Sequence, residues 1–304
     1  MHSLHQDGIL WVDLRLAFVM TFQAADTGAE LPHLSVVKAF AEEVASYKAS
    51  TEGAGFWGSR MIWTSIRHFD SDAIVASMRE CVAAKKAYPD VISGFDLVGQ
   101  EDIGRSHLEM LPELVWFQNY CAQEGVSIPF FFHAGETLGD GSPADENLFD
   151  AVLLGTKRIG HGFSLHKHPL LLQLVKERGI CVEVCPISNE ILRLASSILS
   201  HSLPVLLAHG VAVSLSNDDP GILGQKTTSM THDFWQVLQA FDNIGLEGLG
   251  DLAETSVMYA AFEGGEVGTL EGPRIERLSM WRGLWEEFCQ WIVKEYANQW
   301  EHSN

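Results

Sequence analysis

Short runs dense in Val, Ile, Leu and Phe alternate along this chain with longer stretches whose apolar residues recur every three or four positions. The short runs fit buried strands and the longer ones amphipathic helices. In order, the pattern predicts a strand over 9–18 and a helix over 35–48, then a strand over 61–66 and a helix over 72–87. A strand over 91–98 and a helix over 108–124 follow, then a strand over 128–132 and a helix over 147–154. A very short strand at 158–159 precedes a helix over 169–178, and a strand over 180–184 precedes helical pieces from 189 to 200. The last repeat is a strand over 211–215 and a helix over 232–240, with further helical segments at 251–261 and 275–300.

Strands alternating with helices predict a parallel sheet with helical crossovers. The repeats number seven, whereas a closed barrel of this kind has eight strands. The fold expected is therefore an α/β, (β/α)8 TIM barrel with its first βα unit missing before Ile9, all of 1–304 forming a single domain. Such a sheet would leave two unpaired edges. In the last segment Trp281, Trp285, Phe288, Trp291 and Ile292 fall at helical spacing, which predicts an amphipathic helix packed on the barrel.

Function in such barrels sits just after the strands, so the polar residues there are the candidates. They are His133 and Glu136 in His-Ala-Gly-Glu, His161 in Gly-His-Gly, Asp218 and Asp219 in Asn-Asp-Asp-Pro, and the run Gly99-Gln100-Glu101-Asp102. Each motif alone has a plain structural reading, a hydrogen-bonded histidine or a turn. Together they place imidazoles and carboxylates at the same end of successive strands, a donor set that suits zinc.

The combination resembles the adenosine/AMP deaminase superfamily. The strings Gly-Phe-Asp-Leu-Val-Gly (94–99), Phe-Phe-His-Ala-Gly-Glu-Thr (131–137) and Glu-Val-Cys-Pro-Ile-Ser-Asn (183–189) are similar to the adenosine deaminase-related growth factors, the extracellular-type adenosine deaminases. The resemblance runs from about residue 9 to 261. It implies a metal-dependent hydrolase barrel that releases ammonia from adenosine or 2′-deoxyadenosine, with Zn2+ as cofactor. By resemblance, His133 and Asp218 are metal ligands, and Glu136 donates a proton to purine N1. His161 holds the attacking water and helps deprotonate it, Asp219 orients the resulting nucleophile, and the Gly99 N–H meets the purine ring. It also implies an extracellular protein and a homodimer in the parent, although no signal peptide is visible in the chain.

The chain departs from the family pattern at its start. A His-x-His at the end of the family's first strand supplies two more ligands, and nothing before Ile9 matches it. His2 and His5 are three apart, and His166-Lys167-His168 reads as a loop and helix start. The zinc site is expected to be incomplete, so the alternative to a deaminase is a non-catalytic relative that binds nucleosides or a partner surface. Gln100 stands where close relatives carry His.

Composition narrows the partners. With 40 acidic residues against 20 Lys and Arg, the net charge of −20 repels nucleic acid. The predicted strand ends are acidic or neutral, without the Arg or Lys a phosphate would want, which ranks AMP below adenosine as substrate. No apolar run reaches the ~18 residues of a membrane span, and the cysteines, Cys181 and Cys185 among them, read as buried thiols rather than a disulfide framework.

Overall fold

The computed structural model describes residues 1–225 and 228–300. A short helix α1 (His2–Gln6) precedes β1 (Trp11–Ala17). The hairpin β2 (Phe22–Gln23) and β3 (Glu30–Leu31) then leads into α2 (His33–Ala49). The chain continues through β4 (Gly58–Ile66), α3 (Ser71–Ala87), β5 (Ile92–Val98), α4 (Leu111–Gln123), β6 (His133–Ala134) and α5 (Pro143–Leu153). After these come β7 (Arg158–His161), α6 (Pro169–Glu177), β8 (Cys181–Val184), α7 (Pro186–Ile191), α8 (Leu203–Ala208) and β9 (Val213–Leu215). Helices α9 (Ser229–Ala240), α10 (Gly245–Tyr259) and α11 (Pro273–Trp300) complete the order.

All pairings outside the hairpin are parallel, in the orders β1-β4-β5 and β6-β7-β8-β9. A bridge between Phe95 and Phe130 joins the two sheets. The expected strand over 128–132 is reduced to that bridge, and regular pairing begins only at His133. Pro129 has no N–H to give a ladder, and only its carbonyl is used, accepting from Phe95 N. The helix expected over 147–154 begins earlier, at Pro143, because the Ser142 side chain accepts from Asp145 N and Pro143 opens the first turn.

The sheet curls until distant strands touch. Arg15 on β1 donates to Asp96 on β5 and pairs with Glu183 on β8. Arg158 on β7 pairs with both Glu183 and Asp13 of β1. The barrel interior thus holds a buried, charge-paired network, while apolar side chains such as Ile74, Met78 and Val175 pack helices onto its outside. Gly94 lets the wall close: a Cβ there would lie 2.8 Å from Pro129 O and collide with the Phe131 ring.

Among the described residues no strand lies between β9 and β1. A cavity of about 1280 Å3 runs there, lined by Trp11 and Leu14 of β1, Ser214 and Leu215 of β9, and Tyr259 of α10. It is continuous with the strand ends that carry the candidate residues. Asp7 crosses the mouth of this opening to cap α9, accepting from Met230 N and the Thr231 hydroxyl.

Helix α11 differs from the expectation that it packs on the barrel throughout. Leu278 is buried and Trp285 lies against Gly250 of α10. Farther along, Phe288, Trp291 and Tyr296 are exposed. Cys181 and Cys185 are buried free thiols, as their apolar surroundings suggest. Among the described residues no helix is long and apolar enough to cross a membrane.

Candidate active site

The carboxyl ends of β6, β7 and β9 bring His133, His161 and Asp218 together, with one potential donor atom of each within 4.8 Å of the others. The two imidazole rings are 5.1 Å apart between centroids. Glu136 stands beside them, its Oε1 3.6 Å from His161 Nε2, and Asp218 Oδ2 is 3.7 Å from the same nitrogen. Asp219, Gly99 and Gln100 line the same cavity. Two of the non-glycine residues at positive φ are His161 (58°) and Asp218 (65°), a conformation that costs energy and concentrates at functional positions. Gly99, at φ 103°, needs to be glycine, since a Cβ would also press on His68 Nδ1 at 3.3 Å.

Each side chain is aimed by neighbours. Asp96, wholly buried, accepts from His133 N at 2.9 Å and from the ring Nδ1 at 2.6 Å. That bond holds a proton on Nδ1, so Nε2 is the nitrogen left to face a metal, the arrangement of a metal-binding histidine. Burial opposes ionisation of Asp96, but His133 and Arg15 outweigh it and hold the carboxyl below its ordinary range. Burial likewise opposes charge on His133, and Asp96 overcomes it, so its pKa is raised.

Asp218 is held by the Ser188 hydroxyl at 2.6 Å. Glu101 braces the loop of Glu136, accepting from Gly135 N, Glu136 N and the Asn147 amide. Asp219 is pushed above the usual carboxylate range by burial and then by the charge of Asp218. The histidines of the N-terminal segment and of His166-Lys167-His168 face elsewhere. His5 bonds Tyr47, His2 approaches Glu52, His166 bonds the Phe163 carbonyl and His168 bonds Asp145.

Behind Asp218, Asp233 accepts from Ile187 N and the Asn217 amide, and Asn217 in turn accepts from Ser229. Burial pushes Asp233 up to about 7. An unfolded aspartate ionises near ~4, so between ~4 and about 7 the unfolded chain sheds this proton while the folded chain keeps it. Stability from this group is therefore full below the lower value and lost as pH rises through the upper one. We expect Asp233→Asn to flatten that part of the stability profile, read as urea midpoints between pH 4.5 and 8. An unchanged slope would show that Asp233 is not the group responsible.

An α/β barrel with imidazoles and carboxylates gathered at the carboxyl ends of its strands is the architecture of the metal-dependent hydrolases. The solved structures agree at the level of fold. An adenine deaminase from Arthrobacter aurescens superposes with a TM-score of 0.69 at 20% identity, over 96% of this chain and 76% of that one. An amidohydrolase from Burkholderia ambifaria with bound zinc gives 0.65 at 18% identity, over 88% and 66%.

Sequence comparison is more specific. The family model for adenosine deaminase matches residues 1–268. Adenosine deaminase 2 from Homo sapiens is 33% identical over 95% of this chain and 53% of its own length. Adenosine deaminase 2-A from Danio rerio is 34% identical over 86% of this chain and 50% of its own. The chain belongs to the adenosine deaminase family, and it spans about half the length of the curated relatives it matches.

Sequence reading missed Asp96, Arg15, Asn189 and His201. For Asp96 and Arg15 a signal existed: a charge inside an apolar strand must find a partner.

Proposed function

We propose that this site belongs to a zinc-dependent hydrolytic deaminase acting on the C6 amino group of adenosine or 2′-deoxyadenosine. The observation that carries this reading is the Asp96–His133 bond, which turns His133 Nε2 toward Asp218, with Glu136 alongside. His133 and Asp218 would hold the metal, which when bound supplies the Lewis acidity that makes water nucleophilic near neutral pH. Glu136 gives its proton to purine N1, which makes C6 electrophilic and takes up the charge that attack pushes onto the ring. Asp219 orients the attacking water, and His161 holds it. The Gly99 N–H meets the purine edge.

Among the charged residues of the lining, carboxylates such as Glu101, Asp102 and Asp219 outnumber the two arginines, Arg15 and Arg158, both of which are already paired with Glu183. A neutral nucleoside is favoured over AMP on that ground, since a phosphate prefers Arg, Lys or helix N-termini. Catalytic zinc is usually held by three protein ligands, and His133 and Asp218 are two, so the chain by itself binds the ion weakly and turns over slowly. This shortage is also what favours the second reading, a relative that binds nucleosides without reacting them. The test is ammonia and inosine release from adenosine at saturating zinc, with AMP as comparison. Adenosine bound with no ammonia at any zinc concentration would replace the first reading by the second.

A further inference from the structure

His161 is backed by two buried side chains that do not line the main cavity, Asn189 and His201. Their hydrogen bonds can be followed from a group whose polarity is fixed. The backbone N–H of Leu203 donates to His201 Nδ1 at 3.0 Å. A backbone amide cannot accept, so His201 Nδ1 carries no hydrogen. Burial pushes His201 down to about 4, and the neutral ring keeps its one proton on Nε2. That nitrogen lies 2.8 Å from Asn189 Oδ1, a donor meeting an acceptor. The Asn189 amide is thereby oriented, and its NH2 group stands 3.0 Å from His161 Nδ1. An NH2 group only donates, so His161 Nδ1 accepts.

We propose that Leu203 N–H, His201 and Asn189 form a directional relay that fixes His161 as the Nε2–H tautomer, facing the site as a hydrogen-bond donor and not as a metal ligand or a base. The front of the ring agrees with this polarity. His161 Nε2 points between two carboxylate oxygens, Glu136 Oε1 and Asp218 Oδ2. The neighbouring imidazole has the reverse polarity, because Asp96 takes the Nδ1–H of His133 and leaves Nε2 to face a metal. One histidine is prepared to bind a cation and the other to donate, and each is set by what lies behind it. For His161 to ligate through Nε2 it would have to lose that proton and reverse both amide and ring behind it.

The catalytic consequence rests on the deaminase reading: His161 donates to the attacking oxygen, and the water proton passes to a neighbouring carboxylate. Asn189 and His201 are then positioning residues. The tautomer itself does not depend on that reading and can be tested without it. In long-range 1H–15N spectra of the zinc-free chain with labelled histidine, His161 is assigned by the peaks lost in His161→Gln. We expect its unprotonated nitrogen to be Nδ1. Asn189→Asp replaces the donor by an acceptor and should convert the dominant form to Nδ1–H. His201→Gln keeps an acceptor for Leu203 and a donor for Asn189, and should leave the Nε2–H form in place. A native spectrum with Nδ1–H at His161 overturns the relay, as does an Asn189→Asp spectrum unchanged from native, or a reversed tautomer in His201→Gln. Should Asn189→Asp not fold, the native spectrum decides alone. Failure of the deaminase reading would appear differently, as absent ammonia release with the Nε2–H signature intact.

Discussion

Asp96→Ala is expected to lower folding stability by roughly 3–5 kcal/mol, the usual result of removing one partner from a buried ion pair. Asp96 sits at the centre of the barrel and accepts from Arg15 Nε, His133 Nδ1 and the backbone N–H groups of His133 and Leu97. Alanine leaves these donors facing one another with nothing between them. Arg15 keeps Glu183, which limits the loss, but Glu183 already serves Arg158. Chemical denaturation at neutral pH measures the effect. The pH dependence supplies an independent check. The folded-state pKa of Asp96 lies below its unfolded value, so its contribution is present above ~4 and lost as pH falls. The difference between native protein and Asp96→Ala should therefore shrink on acidification.

Asp96→Asn separates stability from metal binding. The asparagine can keep one acceptor for the backbone, but its NH2 then meets His133 Nδ1 and forces that nitrogen to accept. The proton moves to Nε2, where the metal lone pair had been. We expect zinc affinity to fall by about 10–100-fold, the range for losing a partner that orients a ligand, with a smaller stability loss than in the alanine variant. Equal zinc affinity in Asp96→Asn and native protein would separate His133 from the metal.

Much of this arrangement was legible in the chain. The order of strands and helices followed from apolar periodicity, because buried parallel strands and amphipathic crossovers leave distinct patterns. His133, Glu136, His161, Asp218 and Asp219 stood out because polar side chains directly after an apolar strand fall at one face of the barrel. The supporting residues did not stand out, since their meaning is relational. Arg15 and Asp96 are 81 positions apart, and only the curl of the sheet joins them. Asn189 and His201 lie in the segment where α7, a 3-10 turn and α8 replaced the expected helical pieces, so their positions relative to His161 were not available from periodicity. The shortening of the strand at 128–132 was written in Pro129, but apolar density concealed it.

The largest kinetic effect is expected at Glu136. Its carboxyl is the acid nearest His161, and its side chain keeps 15% of its surface, open to a ligand in the cavity. Protonation of purine N1 needs a group that can release a proton, and glutamine keeps the shape and a hydrogen-bond donor without that capacity. With zinc saturating, Glu136→Gln should lower kcat for adenosine by on the order of 10²–10⁴-fold, the range for losing a general acid. KM should move much less, since the amide can still donate to N1 in the ground state, and a fall confined to kcat marks an interaction that matters in the transition state. Deamination by Glu136→Gln within a few fold of native would remove Glu136 from the acid role and leave the attack at C6 without its proton source.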